Sequence, residues 1–427
     1  MADKTISQLD EITDPNENDE LLFLDSSNSN LKKVKFKDLG GNDDFDKRDY
    51  PFTILGRGSS TDSLVLNVGA ISNGAFQNSG TIKGVHIGSK VTNIGTNSFK
   101  YSSRPDGLTF SEGITGIGSN AFYNCSVGGD IQFPDSLTSI GQSCFAFGSF
   151  NGSVKFGQNL TGVRNSAFAY CGFPAGATLE FPDSVTFIGG ACFMYSTLQH
   201  TKIGTGIVTS SAIASAFTQN GSSLKTVEIS PENTGIASLS GCVYDKDLTT
   251  LKFIPGGFGA ALVLPSTCTS ITSQAGYRCT TSALTMNEGL LSIGSSAFYY
   301  GSIVGPITCP DSLTGIGSTA FGRNTSITTV TVPNATIGQS AFNYCGGLKT
   351  GTLGTGVASV GNNSFGYCGS LVELNCNVPL TSIGSNAFYV PGGGSLLTIN
   401  VRTGDSTWTA GSQTLRGRNV NVIKNLP

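Results

Sequence analysis

Residues 380–388 read LTSIGSNAF and residues 313–321 read LTGIGSTAF, so nearly the same nine-residue segment occurs twice in one chain. The last phenylalanine of this phrase recurs along most of the chain, usually 23 residues apart. Its copies are Phe76, Phe99, Phe122, Phe145, Phe168, Phe193, Phe217, Phe298, Phe321, Phe342, Phe365 and Phe388. A phrase that returns at a fixed interval of roughly 20 to 50 residues is typical of a repeat architecture.

Other apolar positions recur at the same interval as this phenylalanine. An isoleucine or valine stands five residues before it in most copies, and another aliphatic residue stands three residues earlier still. Alternating pairs precede both: Val85/Ile87, Leu108/Phe110, Ile131/Phe133, Val154/Phe156, Leu179/Phe181, Leu284/Met286, Ile307/Cys309 and Leu374/Cys376. Alternation with a period of two predicts a strand with one buried face. Each repeat is therefore expected to hold a short strand, a turn, and an IGxxAF segment that returns on another side.

A single repeat cannot fold alone. Its five or so buried side chains offer roughly 10 kcal/mol, whereas ordering its backbone costs about 1–2 kcal/mol for each residue. Stacked repeats bury their apolar faces against one another and offset that cost. The sequence therefore predicts a β-rich solenoid of about 14 coils of about 23 residues each.

Composition and charge agree with a turn-rich β structure. Charged residues make up 12% of the 427 positions, and Gly fills 57 of them. The 26 Phe residues argue against disorder, because disordered chains lack aromatic residues. The net charge of −3 offers no basic face for nucleic acid. No apolar run reaches the ~20 residues that span a bilayer, so we expect no membrane insertion.

The chemistry of enzymes and metal sites is sparse in this sequence, which predicts no catalytic residue, cofactor or metal. The two histidines, His86 and His200, are far apart in sequence. Asp43, Asp44 and Asp46 lack the spacing of a known calcium loop, so a solvated linker is the favoured interpretation. MADKTISQLDEI at the start has no signal-peptide pattern, and the 11 Cys are expected to be reduced, small buried hydrophobes.

The repeat resembles the BspA-type branch of the leucine-rich repeats, whose hallmark is SIGxxAFxxCxxL. AFYNC (121–125), AFAYC (167–171), AFNYC (341–345) and SFGYC (364–368) match this hallmark. GCVYDKDLTTLKFIP (241–255) resembles the irregular repeat of that family. Around residues 207–280 the spacing stretches and the phenylalanine position is taken by Gly276, so we expect a bend or defect there.

The first 39 residues carry no repeat. ELLFLD (20–25) and LKKVKFKDL (31–39) read as two strands around a turn at residues 28–30, with acidic residues facing lysines. This segment resembles a short N-terminal module of bacteriophage tail-fibre and other virion proteins. The resemblance implies attachment to other virion proteins through residues 1–39, and it gives six anchor candidates: Ile6, Leu9, Leu22, Leu24, Val34 and Leu39.

These patterns divide the chain into four parts. Residues 1–39 are the predicted virion-attachment module, residues 40–63 a linker and N-terminal cap, residues 64–400 the solenoid, and residues 401–427 a C-terminal cap. The single Trp, Trp408, is expected in the core of that cap rather than on a ligand platform.

One row of side chains is a candidate contact surface. Within each strand, the residue between the two buried positions must point away from the core. This row is His86, Thr109, Gln132, Lys155, Glu180, Thr285, Thr308, Thr352 and Asn375. Threonine follows from strand propensity, but His86, Gln132, Lys155 and Glu180 do not. These four are either a soluble sheet face or contacts to a receptor, since solenoids bind partners on extended surfaces.

Two functions are predicted from different classes. The first is a phage virion appendage, a tail fibre or related fibre, assembled in the host cytoplasm. It would bind a host-surface protein or glycan through the solenoid, and resemblance to fibres implies a homotrimer. The alternative is a cellular BspA-type adhesin or protein-binding scaffold. A glycan-cleaving enzyme would need paired carboxylates, and acidic residues are sparse along the coils.

Overall fold

The computed structural model describes the chain in segments. These are residues 20–25, 30–35, 55–57, 63–66, 69–78, 83–104, 106–217, 223–379, 382–393, 395–403, 406, 408–415 and 418–426. The chain divides into two compact units, Met1–Asn220 and Gly221–Pro427. Both are β-solenoids, with about 14 turns of about 23 residues in total, as the repeat predicts.

The first unit stacks its strands coil upon coil. Five strands carry the first-unit residues of the predicted row: Gly84–Ile87, Gly107–Phe110, Ile131–Gln132, Val154–Lys155 and Thr178–Phe181. Ser63–Leu66 and His200–Ile203 pair with the first and the last of these strands. A six-stranded parallel sheet holds Ala70–Ile71, Asn93–Ile94, Gly116–Ile117, Ser139–Ile140, Gly162–Val163 and Phe187–Ile188. On a further side Ser126–Val127 pairs with Ser149–Phe150. Leu55–Arg57, inside the range predicted as linker and cap, pairs antiparallel with Ser63–Leu66.

The second unit has the same arrangement after an irregular start. Its first sheet joins Ile236–Leu239, Cys242–Asp245, Thr250–Phe253, Ser270–Ile271, Ser292–Ile293, Gly315–Ile316 and Thr336–Ile337. A second sheet joins Gly305–Thr308, Ile327–Val332, Thr350–Leu353, Glu373–Cys376, Leu397–Arg402, Arg418–Leu426 and Gly411–Leu415. Shorter elements are strands Thr226–Ile229, Ala261–Val263, Thr280–Thr281, Ala283–Thr285 and Ser302–Ile303, and the 3₁₀ helix Pro391–Gly393.

The marker phenylalanines form the core of each unit, which confirms the prediction. From Phe76 to Phe193 successive rings lie 5.0–5.4 Å apart between centroids and within 7° of parallel. From Phe298 to Phe388 the spacing is 5.2–5.9 Å. All of these rings are buried. One ring per coil explains the repeat, because stacked coils place equivalent side chains against each other.

The glycine of IGxxAF is required by the close approach of neighbouring coils. A Cβ placed on Gly141 would lie 2.5 Å from the carbonyl carbon of Gly118, one coil earlier. The residues that follow turn the chain sharply, and Ser143 and Phe147 have φ of 51° and 61°. Residues other than glycine rarely adopt a positive φ. Here the amide of Phe147 donates to the carbonyl of Ala169 in the next coil at 2.9 Å, which holds the turn.

Threonine hydroxyls add a second link between coils of the first unit. Thr115 Oγ1 donates to the carbonyl of Thr92 at 3.1 Å, and Thr138 Oγ1 donates to the carbonyl of Thr115 at 2.8 Å. Thr161 continues the series to Thr138 at 3.0 Å. Each bond spans 23 residues, so it joins one coil to its immediate neighbour.

The range predicted as irregular contains elements that the other repeats lack. In the first unit, the helix Ser210–Ala216 replaces the usual turn and delivers Phe217, whose ring stacks on Phe193 at 4.9 Å. In the second unit, Ile236–Leu239 and Thr250–Phe253 both pair antiparallel with Cys242–Asp245. At Gly276 the missing ring is replaced by neighbours, because a Cβ there would lie 2.9 Å from Ile254 Cδ1 and from Cys279 Sγ.

The predicted elements at both ends of the chain are present. Glu20–Asp25 pairs antiparallel with Asn30–Lys35, which contains the described part of the predicted strand 31–39. Glu20 lies opposite Lys35 as expected of an acidic residue facing a lysine, but Asp25 lies opposite Asn30. Trp408 is 2% exposed and donates from Nε1 to the carbonyl of Val378 at 3.2 Å, which confirms its predicted burial. Arg418 is also buried, where its guanidinium donates to the carbonyls of Cys368, Leu371 and Ser395.

Candidate recognition face

The strand row is the set of outward mid-strand residues in the first unit. Thr178–Phe181 and His200–Ile203 alternate between outward and buried residues, as predicted. Backbone pairing sets His86 beside Thr109, Gln132 beside Lys155, and Glu180 beside Lys202. The row is therefore His86, Thr109, Gln132, Lys155, Glu180 and Lys202. All four sequence candidates belong to it.

His86 is held more firmly than an exposed histidine would be. Its Nδ1 lies 2.9 Å from Thr109 Oγ1 and its Nε2 lies 3.1 Å from Ser111 Oγ. The imidazole is half-buried. Since both ring nitrogens have hydroxyl partners, the ring is fixed in place, and a ligand at this end of the row would meet the ring surface.

Two depressions interrupt the middle of the row. Gly107–Phe110 is not in the same sheet as Ile131–Gln132, and Val154–Lys155 is not in the same sheet as Thr178–Phe181. A cavity of 310 Å³ lies at the first interruption and a cavity of 330 Å³ at the second, and Ser153 lines both. Gln132 and Lys155 line the first cavity. Two of the four candidates thus border a concave feature.

The sequence explains both interruptions. At the first, Gly129 has φ of 69° and Pro134 follows closely, so the strand between them is cut to Ile131–Gln132. At the second, the repeat from Phe168 to Phe193 is two residues longer than the usual 23. Phe110, predicted to be buried, is half-buried because it lines the first cavity. Met286, also predicted to be buried, is likewise half-buried, at the edge of the core of the second unit.

The charges of the row are locally compensated. Lys202 Nζ lies 2.9 Å from Glu180 Oε1, and both side chains are more than half exposed. Such exposed pairs contribute little to stability. Asp130, at the first cavity, accepts hydrogen bonds from the amide and hydroxyl of Ser153 at 2.7 and 2.8 Å. These bonds from Ser153, with the nearby charge of Lys155, hold the pKa of Asp130 below its usual value.

Sequence reasoning missed Lys202, although HTKI (200–203) shows the same alternation as its neighbours. In the second unit it missed Thr331, which pairs with both Thr308 and Thr352. That unit presents mainly threonine and asparagine at the equivalent positions. The part from Thr308 to Asn375 lies on one parallel ladder, whereas Thr285 lies in a separate two-stranded sheet. The row of the first unit is therefore the more distinctive surface.

A second row was not predicted at all. In the described residues, the residue two positions after the marker phenylalanine has a positive φ in most repeats and is often a tyrosine. In the first unit this turn row includes Tyr101, Phe147, Tyr170 and Tyr195, each more than 40% exposed. The signal was present in the sequence, since AFxY spacing recurs, but only the structure shows that these rings lie at the surface.

The cysteines lie in the core. All 11 are free and buried, which confirms their interpretation as small core residues. Burial raises the pKa of the Cys125 thiol to about 12. Over the described residues, no cluster of three or more His, Cys, Asp or Glu is placed to hold a metal ion.

Several sequence candidates lie outside the described residues. These are Ile6, Leu9 and Leu39 of the anchor set, and the aspartates at 43, 44 and 46. Leu22, Leu24 and Val34 lie in the N-terminal hairpin. No helix in the described segments is both long and apolar enough to cross a membrane.

Comparison with known proteins identifies the repeat. Residues 69–199, 175–255, 260–350 and 335–405 match the family described as BspA type leucine rich repeat region. The chain belongs to the BspA-type leucine-rich repeat family. No curated protein matches this BspA-type chain.

Solved structures share the BspA-type fold of this chain. One is the pneumococcal vaccine antigen PcpA, with 19% identity and a TM-score of 0.51 over 87% of this chain and 96% of that one. Another is a leucine-rich repeat protein from Eubacterium ventriosum, with 19% identity and a TM-score of 0.52 over 76% of this chain and 89% of that one. At this identity the likeness concerns the fold.

Proposed function

We propose that this protein is a BspA-type adhesin or protein-binding scaffold that recognises a protein on a host surface through the strand row. The observation that carries this proposal is the pair of depressions between Thr109 and Leu179, the first of which is bordered by Gln132 and Lys155. Concave features with fixed polar side chains favour ligand binding. The similar fold of a pneumococcal vaccine antigen is consistent with a role at a surface. No catalytic step or cofactor is part of the proposal.

Charge reversal at the row tests this function. The purified protein is incubated with intact host cells, and bound protein is measured by flow cytometry. Lys155→Glu should weaken binding at least tenfold, because a like charge facing a partner costs several kcal/mol. Arg164→Glu is the matched control, since Arg164 is exposed in the same unit and contacts Phe187 instead of the row. Equal binding by both variants and the parent would refute the assignment.

Pretreatment of the cells identifies the class of partner. Loss of binding after mild protease treatment indicates a surface protein, which is the expected result. Loss after glycosidase treatment alone indicates a glycan, the other class of partner that the sequence suggested. The double variant Lys155→Glu with Glu180→Lys should bind as poorly as the single variant, with an unchanged unfolding midpoint.

A second candidate function is a virion appendage, in which residues 1–39 attach the protein to other virion proteins and the solenoid contacts the host. The hairpin Glu20–Asp25 with Asn30–Lys35 favours it, because these are the strands on which the resemblance to tail-fibre modules depends. The proposal includes assembly in the host cytoplasm and a homotrimer.

Deletion of residues 1–40 tests the virion role. The deletion should abolish incorporation into particles and leave cell binding intact. Lys155→Glu should weaken cell binding and leave incorporation into particles intact. Sedimentation of the purified full chain measures the number of copies. Incorporation of the truncated chain would refute the anchor, and a monomer would refute the trimer.

A further inference from the structure

The turn row of the second unit differs from that of the first, because it contains arginines. Its members are Arg278, Tyr300, Arg323, Tyr344 and Tyr367, one for each successive coil, and we call this set the arginine–tyrosine ladder. Each has φ between 58° and 63°. The amides of Tyr300 and Tyr344 donate to the next coil at 3.0 and 2.8 Å, so the backbone of the ladder is fixed.

Cations and rings stack along the ladder. The guanidinium carbon of Arg323 lies 4.8 Å from the ring centroid of Tyr300 and 4.6 Å from that of Tyr344. On the opposite side of Tyr300 along the ladder, the guanidinium carbon of Arg278 lies 5.5 Å from the centroid of the same ring. Tyr344 and Tyr367 stack at 4.2 Å and 12°. Arg323 Nε is buried and its guanidinium also bonds Tyr299, so a ligand would meet the remaining N–H groups of Arg323 and the guanidinium of the exposed Arg278.

A glycine beside Arg323 makes room for a further contact. A Cβ on Gly322 would lie 3.0 Å from Tyr299 Cδ2, so the ring of Tyr299 packs directly over that glycine. Hydrogen bonding to Tyr299 raises the pKa of Arg323. Arg323 is thus held in position by three tyrosines. An arginine at a protein surface would ordinarily sample many rotamers.

Across the described residues, neither Arg278 nor Arg323 forms a salt bridge. Two coils separate them, which at the spacing of parallel strands is roughly 10 Å. The whole chain carries a net charge of −3, so this cationic feature is local.

We propose that the ladder binds an anionic polysaccharide, with Arg278 and Arg323 each engaging a carboxylate or sulfate group. Guanidinium forks match these planar or tetrahedral oxyanions. A glycan that carries a charge on every second sugar presents anions at an interval similar to the separation of the two arginines. The tyrosine hydroxyls between them supply partners for sugar hydroxyl groups.

An acidic peptide fits the ladder less well. A peptide strand gains affinity by pairing with free backbone amides at a sheet edge. Here the backbone amides of Arg278, Tyr300, Arg323, Tyr344 and Tyr367 already donate to carbonyls of the next coil. Recognition must therefore come from side-chain edges alone, which suits a polymer rich in hydroxyl and anionic groups.

Retention on immobilised heparin tests the proposal with the full chain at pH 7. The double variant Arg278→Gln with Arg323→Gln should lose at least tenfold in affinity, since charge-assisted hydrogen bonds are among the stronger contacts. Arg164→Gln is the matched control, because it removes one exposed arginine that lies 5.6 Å from a single ring, Phe187, in the first unit. It should change heparin affinity less than about twofold.

Further arms separate the chemistry of the contact from charge alone. Arg323→Lys keeps the charge and loses the fork, and should lose several-fold. Soluble hyaluronan, which has carboxylates without sulfates, should compete, whereas neutral dextran should not. Poly-glutamate that competes as well as heparin would overturn the glycan assignment, and so would equal retention of the double variant and the Arg164→Gln control.

This site is independent of the proposed function. Lys155→Glu should lose binding to host cells and keep its heparin affinity, and the arginine double variant should do the reverse. Thermal unfolding of each variant within about 2 °C of the parent shows that the losses come from the surface and not from unfolding.

Discussion

Removing one ring from the phenylalanine column is the most direct test of the fold. Phe342 is fully buried and lies 5.2 Å from the rings of both Phe321 and Phe365, nearly parallel to each. A buried Phe→Ala substitution costs about 3–5 kcal/mol. Two aromatic pairs, each contributing about 0.5–1.5 kcal/mol beyond burial, are also lost. We therefore expect Phe342→Ala to cost about 5 kcal/mol.

Urea unfolding followed by tryptophan fluorescence measures this cost, because the single Trp, Trp408, is buried in the same unit. With a denaturant slope of about 3 kcal/mol per molar, the midpoint should fall by about 1.5–2 M. Leu291→Ala is the control, since Leu291 is 48% exposed and its truncation should cost less than about 0.5 kcal/mol. Phe342→Leu should fall between the two. A midpoint for Phe342→Ala equal to that of the control would refute the ring column as the source of stability.

Three further outcomes are expected. Gly276→Phe restores the repeat phrase, yet it should lower the unfolding midpoint, because Ile254 already fills the space of the ring and overpacking costs about 1–3 kcal/mol. A thiol reagent at pH 8 should modify none of the cysteines in the folded protein and all 11 in urea, since every thiol is buried and Cys125 has its pKa raised to about 12. Asp130→Asn should remove part of the acid sensitivity below about pH 4 in a melting series: the native pKa of Asp130 is lowered, so its contribution is complete above the ordinary aspartate pKa and is lost as the pH falls through the lowered value.

Much of the fold could be predicted because the solenoid is one-dimensional. Each coil contacts its neighbours at equivalent positions, so a residue such as Phe145 has the same surroundings as Phe122 and Phe168. Alternation within each strand then determines which side chains point outward. The outward positions of Gln132 and Lys155 could be predicted from this alternation alone. The N-terminal hairpin and the burial of Trp408 were predictable from local apolar patterns.

Features that depend on the departure of one repeat from the next could not be predicted in the same way. The first depression arises where Ile131–Gln132 is too short to pair with the strand before it, and a count of residues does not show a lost hydrogen bond. The helix Ser210–Ala216 satisfies the same phenylalanine position as a turn does, so SAIASAF looked like another copy of the phrase. The arginine–tyrosine ladder depends on positive φ, which the letters of Arg278 and Arg323 do not reveal.

Thr115, Thr138 and Thr161 each form a hydrogen bond to a residue 23 positions earlier, and this spacing limits how the length of the gene can change. Because each hydroxyl reaches one coil back and no further, a whole number of coils can be duplicated or excised with every remaining bond finding an equivalent carbonyl. Unequal recombination between near-identical stretches of DNA would thus lengthen or shorten the protein in whole steps. A change of one or two residues is absorbed within a coil, since the rings of Phe168 and Phe193, 25 residues apart, still stack at 5.3 Å. A longer insertion that is not a whole coil would leave hydroxyls and phenylalanine rings facing the wrong partners, so large changes of length are expected in units of one repeat.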